Sequence, residues 1–157
     1  MSDSIDACLA AYFAGLMDGE GYIGIRTSTN RGISAGQPVR WRRYSAQVNV
    51  TNTHRGVLET GRDAWGRGNI HEYRGVNKPV YKWDIPSAQA AAVLTDLLPY
   101  LVVKREQALL VVELHARTAA SVGVVGHRMS DEERAYRLDL QARCRALNSR
   151  SYFGTYT

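Results

Sequence analysis

Two segments of this chain alternate between apolar and polar side chains, and that alternation restricts the possible folds more than any other feature. From Arg40 to Val50, Tyr44, Ala46, Val48 and Val50 point one way and Arg43, Ser45, Gln47 and Asn49 the other. From Tyr22 to Thr29, Ile23 and Ile25 oppose Gly24, Arg26 and Ser28, with Asn30 next in the polar series. A period of two marks a half-buried strand. Each segment is therefore expected to bury one face and leave the other open, which antiparallel sheets permit. The open face would carry Arg, Ser, Gln and Asn, side chains able to read base edges: Arg for guanine, Asn or Gln for adenine.

The remaining segments fit around these strands. Ile5 to Met17 has apolar residues at 5, 9, 12, 13, 16 and 17, a helical period. Residues 30 to 39 contain Gly and Pro and read as a loop. A second helix is expected from an N-cap at Thr53 to Trp65, stopped by Gly66 to Gly68. Asn69 to Tyr73 and Val80 to Ile85 read as a hairpin, with His71, Tyr73 and Lys82 extending the polar face. Helices follow over Ser87 to Leu98 and Lys104 to Thr118, then a loop over 121–129. Ser130 and Glu133 form a capping box for a last helix to about Leu147. The order α-β-β-α-β-β-α-α-α predicts an α+β fold: one four-stranded antiparallel sheet with helices on one face. The 157 residues fit a single domain, 1–157, with its core at about 5–150 and a basic tail at 148–157.

Charge points to the partner. The net charge is +5, and between Gly21 and Leu58 there are six arginines and no Asp or Glu. A one-sign stretch of this kind is an electrostatic footprint for phosphate. No apolar run is long enough to span a membrane, and "MSDSIDACLA" lacks the basic start of a secretory signal. Cys8 and Cys144 are too far apart for a disulfide framework and are expected to be reduced core or near-core thiols. An intracellular protein is expected, cytoplasmic or organellar. The four histidines show no spacing suited to zinc.

One junction stands apart. In "YFAGLMDGEGYIGI", Tyr12 to Ile25, the helix ends on Asp18 and Glu20 among Gly15, Gly19 and Gly21. The last turn of a helix already carries partial negative charge, so acids there need an offsetting cation. Ala11, Gly15 and Gly19 also make a strip of small residues, which lets two helix backbones approach closely. "FAGLMDGEG", Phe13 to Gly21, resembles the signature that names the LAGLIDADG homing endonucleases. Ala14, Gly15, Leu16, Asp18 and Gly21 match it literally, and Glu20 replaces an aspartate. "GRGNI" and "LLPYLVVKREQA" resemble two further family segments, the second placing a lysine at Lys104. No second copy of the signature is present, which resembles the single-motif, homodimeric branch.

That resemblance implies an αββαββα fold with a saddle-shaped sheet, and a site-specific double-strand DNA endonuclease of intron or intein mobility. Such an enzyme hydrolyses phosphodiesters as a homodimer on a long pseudopalindromic site and leaves 3′ overhangs. It implies Mg2+, with Mn2+ able to substitute and Ca2+ able to bind without supporting cleavage, held by Glu20 and the Gly19 carbonyl. Lys104 would stabilise developing charge, and Asp18 would be structural. A polar residue organising water is assigned to Asn52, with Asn49 and Gln47 as alternatives. Ala11, Tyr12, Gly15 and Leu16 would form the dimer interface. Arg26, Ser28, Asn30, Arg43, Ser45, Gln47, Asn49, His71, Tyr73 and Lys82 are expected to read bases, and Arg40, Arg42 and Arg150 to contact phosphates. The alternative is a non-cleaving LAGLIDADG nucleic-acid binder, an intron RNA maturase or a transcription regulator.

Overall fold

The computed structural model describes residues 4–121 and 128–152, the last three as backbone only. The elements are α1 (Ala7–Glu20), β1 (Gly21–Ser34), β2 (Gln37–Asn52), α2 (Arg55–Trp65), β3 (Asn69–Tyr73), β4 (Val80–Ile85), α3 (Ser87–Leu97), α4 (Arg105–Ala120) and α5 (Asp131–Tyr152). The four strands form one antiparallel sheet in the order β1-β2-β4-β3. The expected α+β architecture and element order are observed. Most of the loop expected over 121–129 lies outside the described residues.

Register separates the two faces of the sheet. Directly opposed residues share a face. Ile23 with Val48, Ile25 with Ala46, Val48 with Ile85 and Val50 with Trp83 therefore form one apolar layer. That layer packs under the helices with Phe13, Met17, Leu58, Leu94, Leu110 and Leu140. Trp83 is fully buried, 6.0 Å from both the Phe13 and Trp65 rings, and its indole N–H donates to Arg67 O at 2.9 Å. α2 fits here because Gly61 has no side chain: a Cβ would stand 2.6 Å from Phe13 and 2.8 Å from Trp83.

Several local expectations are corrected. The loop over 30–39 is instead a two-residue turn at Ala35–Gly36, with φ +50° and +76°, flanked by strands that continue to Ser34 and from Gln37. Positive φ at both positions matches the twist of a tight hairpin. Pro38 is tolerated because β4 pairs β2 only over residues 48–52, so the outer ribbon has free edges. The cap of α2 is His54 rather than Thr53, with Nδ1 accepting from Val57 N at 3.2 Å. At the other end Gly66 takes φ +60°, the left-handed stop expected of glycine. Tyr12, one of the apolar residues of the helical period, is 58% exposed; Ala10, Phe13, Ala14 and Met17 form the buried stripe of α1. The stretch at 148–152 is not a separate tail but the last turns of α5. Ser130 caps that helix as expected, its Oγ accepting from Glu133 N. Cys8 is exposed, against the expectation of a near-core thiol, whereas Cys144 is buried.

Candidate functional site

The site begins where α1 runs into β1. The chain makes this turn at Gly21, where a Cβ would stand 2.3 Å from Met17 Sδ and 2.6 Å from Met17 O. Only glycine lets strand follow helix so directly. Its N–H donates to Met17 O, closing the helix. Glu20 is thereby left at the tip of α1, exposed, with no hydrogen bond or ion pair to another described residue.

The two acids of the junction have different surroundings. Both oxygens of Asp18 are occupied: Oδ2 accepts from Val102 N at 2.8 Å and Oδ1 from Lys104 N at 2.9 Å. Asp18 thus fastens the segment between α3 and α4 to the end of α1. That segment in turn delivers Lys104, whose Nζ donates to Met17 O at 3.0 Å and to Asp18 O at 2.5 Å. A cation on the last carbonyls of a helix is the complement its negative pole favours. Burial lowers the Lys104 ammonium below the ordinary lysine range, and the Asp18 and Glu20 carboxylates pull it back up only in part. The offsetting charge required by this acidic helix end therefore includes a residue of the chain itself.

The outer face of α1 is bare. Ala11, Tyr12, Gly15 and Gly19 are exposed and Leu16 is half-buried. A Cβ at Gly15 or Gly19 would meet nothing within 4 Å. Nothing in the fold of one chain requires glycine at either position.

The open face of the sheet gathers the side chains expected there. Register aligns Gly24 with Gln47, Arg26 with Ser45, Ser28 with Arg43, and Asn30 with Trp41. β4 and β3 add Lys82 opposite His71, with Tyr73 beside them; Lys82 Nζ lies 5.3 Å from the Tyr73 ring. Two of the expected readers do not project freely. Ser45 is buried, and its Oγ accepts from Arg26 Nε at 3.3 Å, so it orients the arginine. Asn49 is also buried, paired across the sheet with Tyr22 on one side and Asp84 on the other. Arg40 and Arg42 lie on the opposite face of the ribbon, across from Arg31 and Thr29. The Arg150 side chain lies outside the described residues. Asn52 stands at the end of β2, two residues past the partner of Gly21, and its Oδ1 accepts from His54 N at 2.8 Å. That bond commits one of its polar atoms to the turn into α2.

Sequence reading missed three members of the open face. Tyr22 lies along it, its ring within 2.6 Å of where a Gly24 Cβ would stand. Asp84 is an acid among the readers, a group able to accept from a cytosine amino group. Asn69 sits across from Asp84. The period of two in "VYKWDI" puts Asp84 on the same side as Lys82, so that signal was present.

A hard divalent cation takes oxygen ligands. Lys104 takes the Met17 and Asp18 carbonyls, which leaves the Glu20 carboxylate and the carbonyl of the exposed Gly19 as oxygen donors that fit such an ion. Among the described residues no group of three or more His, Cys, Asp or Glu side chains converges.

The sequence matches no protein-family model and no curated protein. The structure does resemble solved ones. The homing endonuclease I-CvuI, in complex with the I-CreI target in 2 mM Mg with its DNA not cleaved, superposes with a TM-score of 0.67 at 19% identity, over 88% of this chain and 80% of that one. The archaeal intron-encoded homing endonuclease I-Vdi141I, complexed with DNA, gives 0.66 at 20% identity over 88% and 82%. The LAGLIDADG homing endonuclease I-LtrWI, bound to target DNA, gives 0.65 at 15% identity over 86% of this chain but only 44% of that one. The junction at Glu20, the lysine beneath it and the open antiparallel sheet are thus built on the fold of the LAGLIDADG homing endonucleases.

Proposed function

We propose that this chain is a site-specific, metal-dependent DNA endonuclease that works as a homodimer. The observation that carries the reading is the pairing of an exposed Glu20 with a half-buried Lys104 at the end of α1, beside an open sheet face rich in hydrogen-bonding side chains. A twofold pairing of α1 helices through Ala11, Tyr12, Gly15 and Leu16 brings two Glu20 carboxylates together. A divalent ion there supplies a Lewis acid and an activated water. The chain's own contributions are separate. Glu20 and the Gly19 carbonyl hold and orient the ion. Lys104 places positive charge where negative charge develops on the phosphate. Asp18 keeps Lys104 in place. Asn52 keeps an amide at the strand end, where it can orient water.

The sheet then occupies the major groove. Arg26, Ser28, Asn30, Arg43, Gln47, His71, Tyr73 and Lys82 reach base edges, and twofold symmetry makes the site a pseudopalindrome. Cuts on both strands leave 3′ overhangs. Mg2+ is the working ion, Mn2+ can replace it, and Ca2+ binds without cutting.

Selecting cleaved sites from a random duplex library in Mg2+ tests this reading and identifies the target. Glu20→Gln should then retain binding to that target and lose cleavage by at least about 100-fold. Binding by the wild type without any cut in Mg2+ or Mn2+ would leave a non-cleaving nucleic-acid binder in its place.

A further inference from the structure

The outer half of the β1–β2 hairpin is a ribbon on its own. Beyond Val48 no third strand pairs with β2, and on the side away from the reading face Arg31, Arg40 and Arg42 are all exposed. Register sets Arg31 directly across from Arg40 on that side, with Arg42 two residues further along the same strand. Like charges directly opposed across two strands repel. No Asp or Glu occurs anywhere from Gly21 to Asn52, and among the described residues none of these three arginines makes an ion pair. The free protein therefore carries an uncompensated cationic pair at a place where the fold gains nothing from it.

The dimensions of a ribbon in a groove indicate what the pair is for. A layer of side chains holds a strand backbone roughly 5 Å above the surface it packs on, half the spacing of packed sheets. The major groove is about 12 Å wide and 8.5 Å deep. With the reading face on the groove floor, the backbone lies at mid-depth, and side chains on the other face start close to the height of the phosphates. Arg31 leaves from β1 and Arg40 from β2, and their repulsion turns them outward, each toward its own strand's side.

We propose that Arg31 and Arg40 form a two-sided phosphate clamp, one guanidinium on each rim of the groove, which anchors the far end of the hairpin irrespective of base sequence. The proposal rests on the reading of the chain as a DNA-binding endonuclease. It gives Arg31 a phosphate contact not assigned to it above, and places it on the rim opposite Arg40.

The test is the salt dependence of binding by the full chain to a random-sequence duplex of about 30 base pairs, in EDTA so that nothing is cut. Each phosphate neutralised contributes about 0.9 to the slope of log affinity against log salt. Arg31→Gln and Arg40→Gln should each lower the slope by that amount per bound chain, and additively, because they hold different rims. Between 50 and 200 mM salt the double variant should lose roughly 12-fold less affinity than the wild type per bound chain, or roughly 150-fold less for the homodimer. The free double variant should melt no lower than the wild type at low salt, since a repulsion has been removed. A slope unchanged in the double variant, alongside clear duplex binding by the wild type, overturns the clamp alone. So does a lowered melting temperature, which would make the pair structural. Absence of duplex binding by the wild type overturns the endonuclease reading and the clamp with it.

Discussion

Replacing Asp18 with asparagine separates a structural acid from a metal ligand. In the structure both carboxylate oxygens are taken by backbone N–H groups, Val102 at 2.8 Å and Lys104 at 2.9 Å. A hydrogen bond to a charged acceptor contributes about 1.5–3 kcal/mol, against about 1 kcal/mol for a neutral one. Asparagine keeps one oxygen, so one amide retains a weaker bond, while the other N–H faces an NH2 group and loses its partner. The Val102 contact is solvent-exposed, which favours the lower half of the range, so a loss of about 2–3 kcal/mol is expected. For a chain of this size each kcal/mol moves the melting temperature by about 2–4 °C, giving a drop of roughly 4–12 °C. Thermal unfolding by circular dichroism measures that drop. Cleavage assayed well below the transition should show slower cutting, because Lys104 is less well held, but the same Mg2+ concentration for half-maximal rate. An unchanged melting temperature with a many-fold higher Mg2+ requirement would refute this reasoning and make Asp18 a ligand.

The other predictions each isolate one feature. Lys104→Met removes two hydrogen bonds to carbonyls but also a charge that burial disfavours, so stability should change by only about 1 kcal/mol while cleavage falls about 100- to 1000-fold. Because the folded ammonium titrates below the usual 10.5, wild-type cleavage should decline with rising pH before that value, and stability should rise across the same interval because unfolding then takes up a proton. Gly15→Leu should leave each chain folded, since a Cβ there meets nothing within 4 Å, yet shift sedimentation from dimer to monomer. A thiol reagent should modify Cys8 alone in the native protein. Burial raises the Cys144 thiol to about 11, so it should react only after unfolding.

The strands were legible where their two faces meet different media. Ile23, Ile25, Ala46, Val48 and Val50 are buried by helices, and their alternation gave the fold away. Beyond Thr27 and Tyr44 the ribbon has no layer to bury into, so alternation fades, and Gly32 and Pro38 made a strand look like a loop. Tyr12 belongs to the helical period of α1 but lies outside its buried stripe, on a face that a single chain leaves bare. The acids at the end of α1 were visible, and the family resemblance implied a structural Asp18, but the partners that hold it were not visible. They are amides 84 and 86 residues away, which no local pattern encodes.

Those distant contacts also explain how so acidic a helix end can be stable before any ion binds. The amides of Val102 and Lys104 take up the charge of Asp18, and the Lys104 ammonium takes up the carbonyls that carry the helix pole. Only the Glu20 carboxylate is left without a hydrogen-bonding partner, and it is exposed, so water bears the cost of its charge. The fold therefore does not require a bound cation for its integrity. A chelator should leave the melting temperature of the protein without DNA unchanged. A drop on chelation would mean that an ion, and not Lys104, balances the junction.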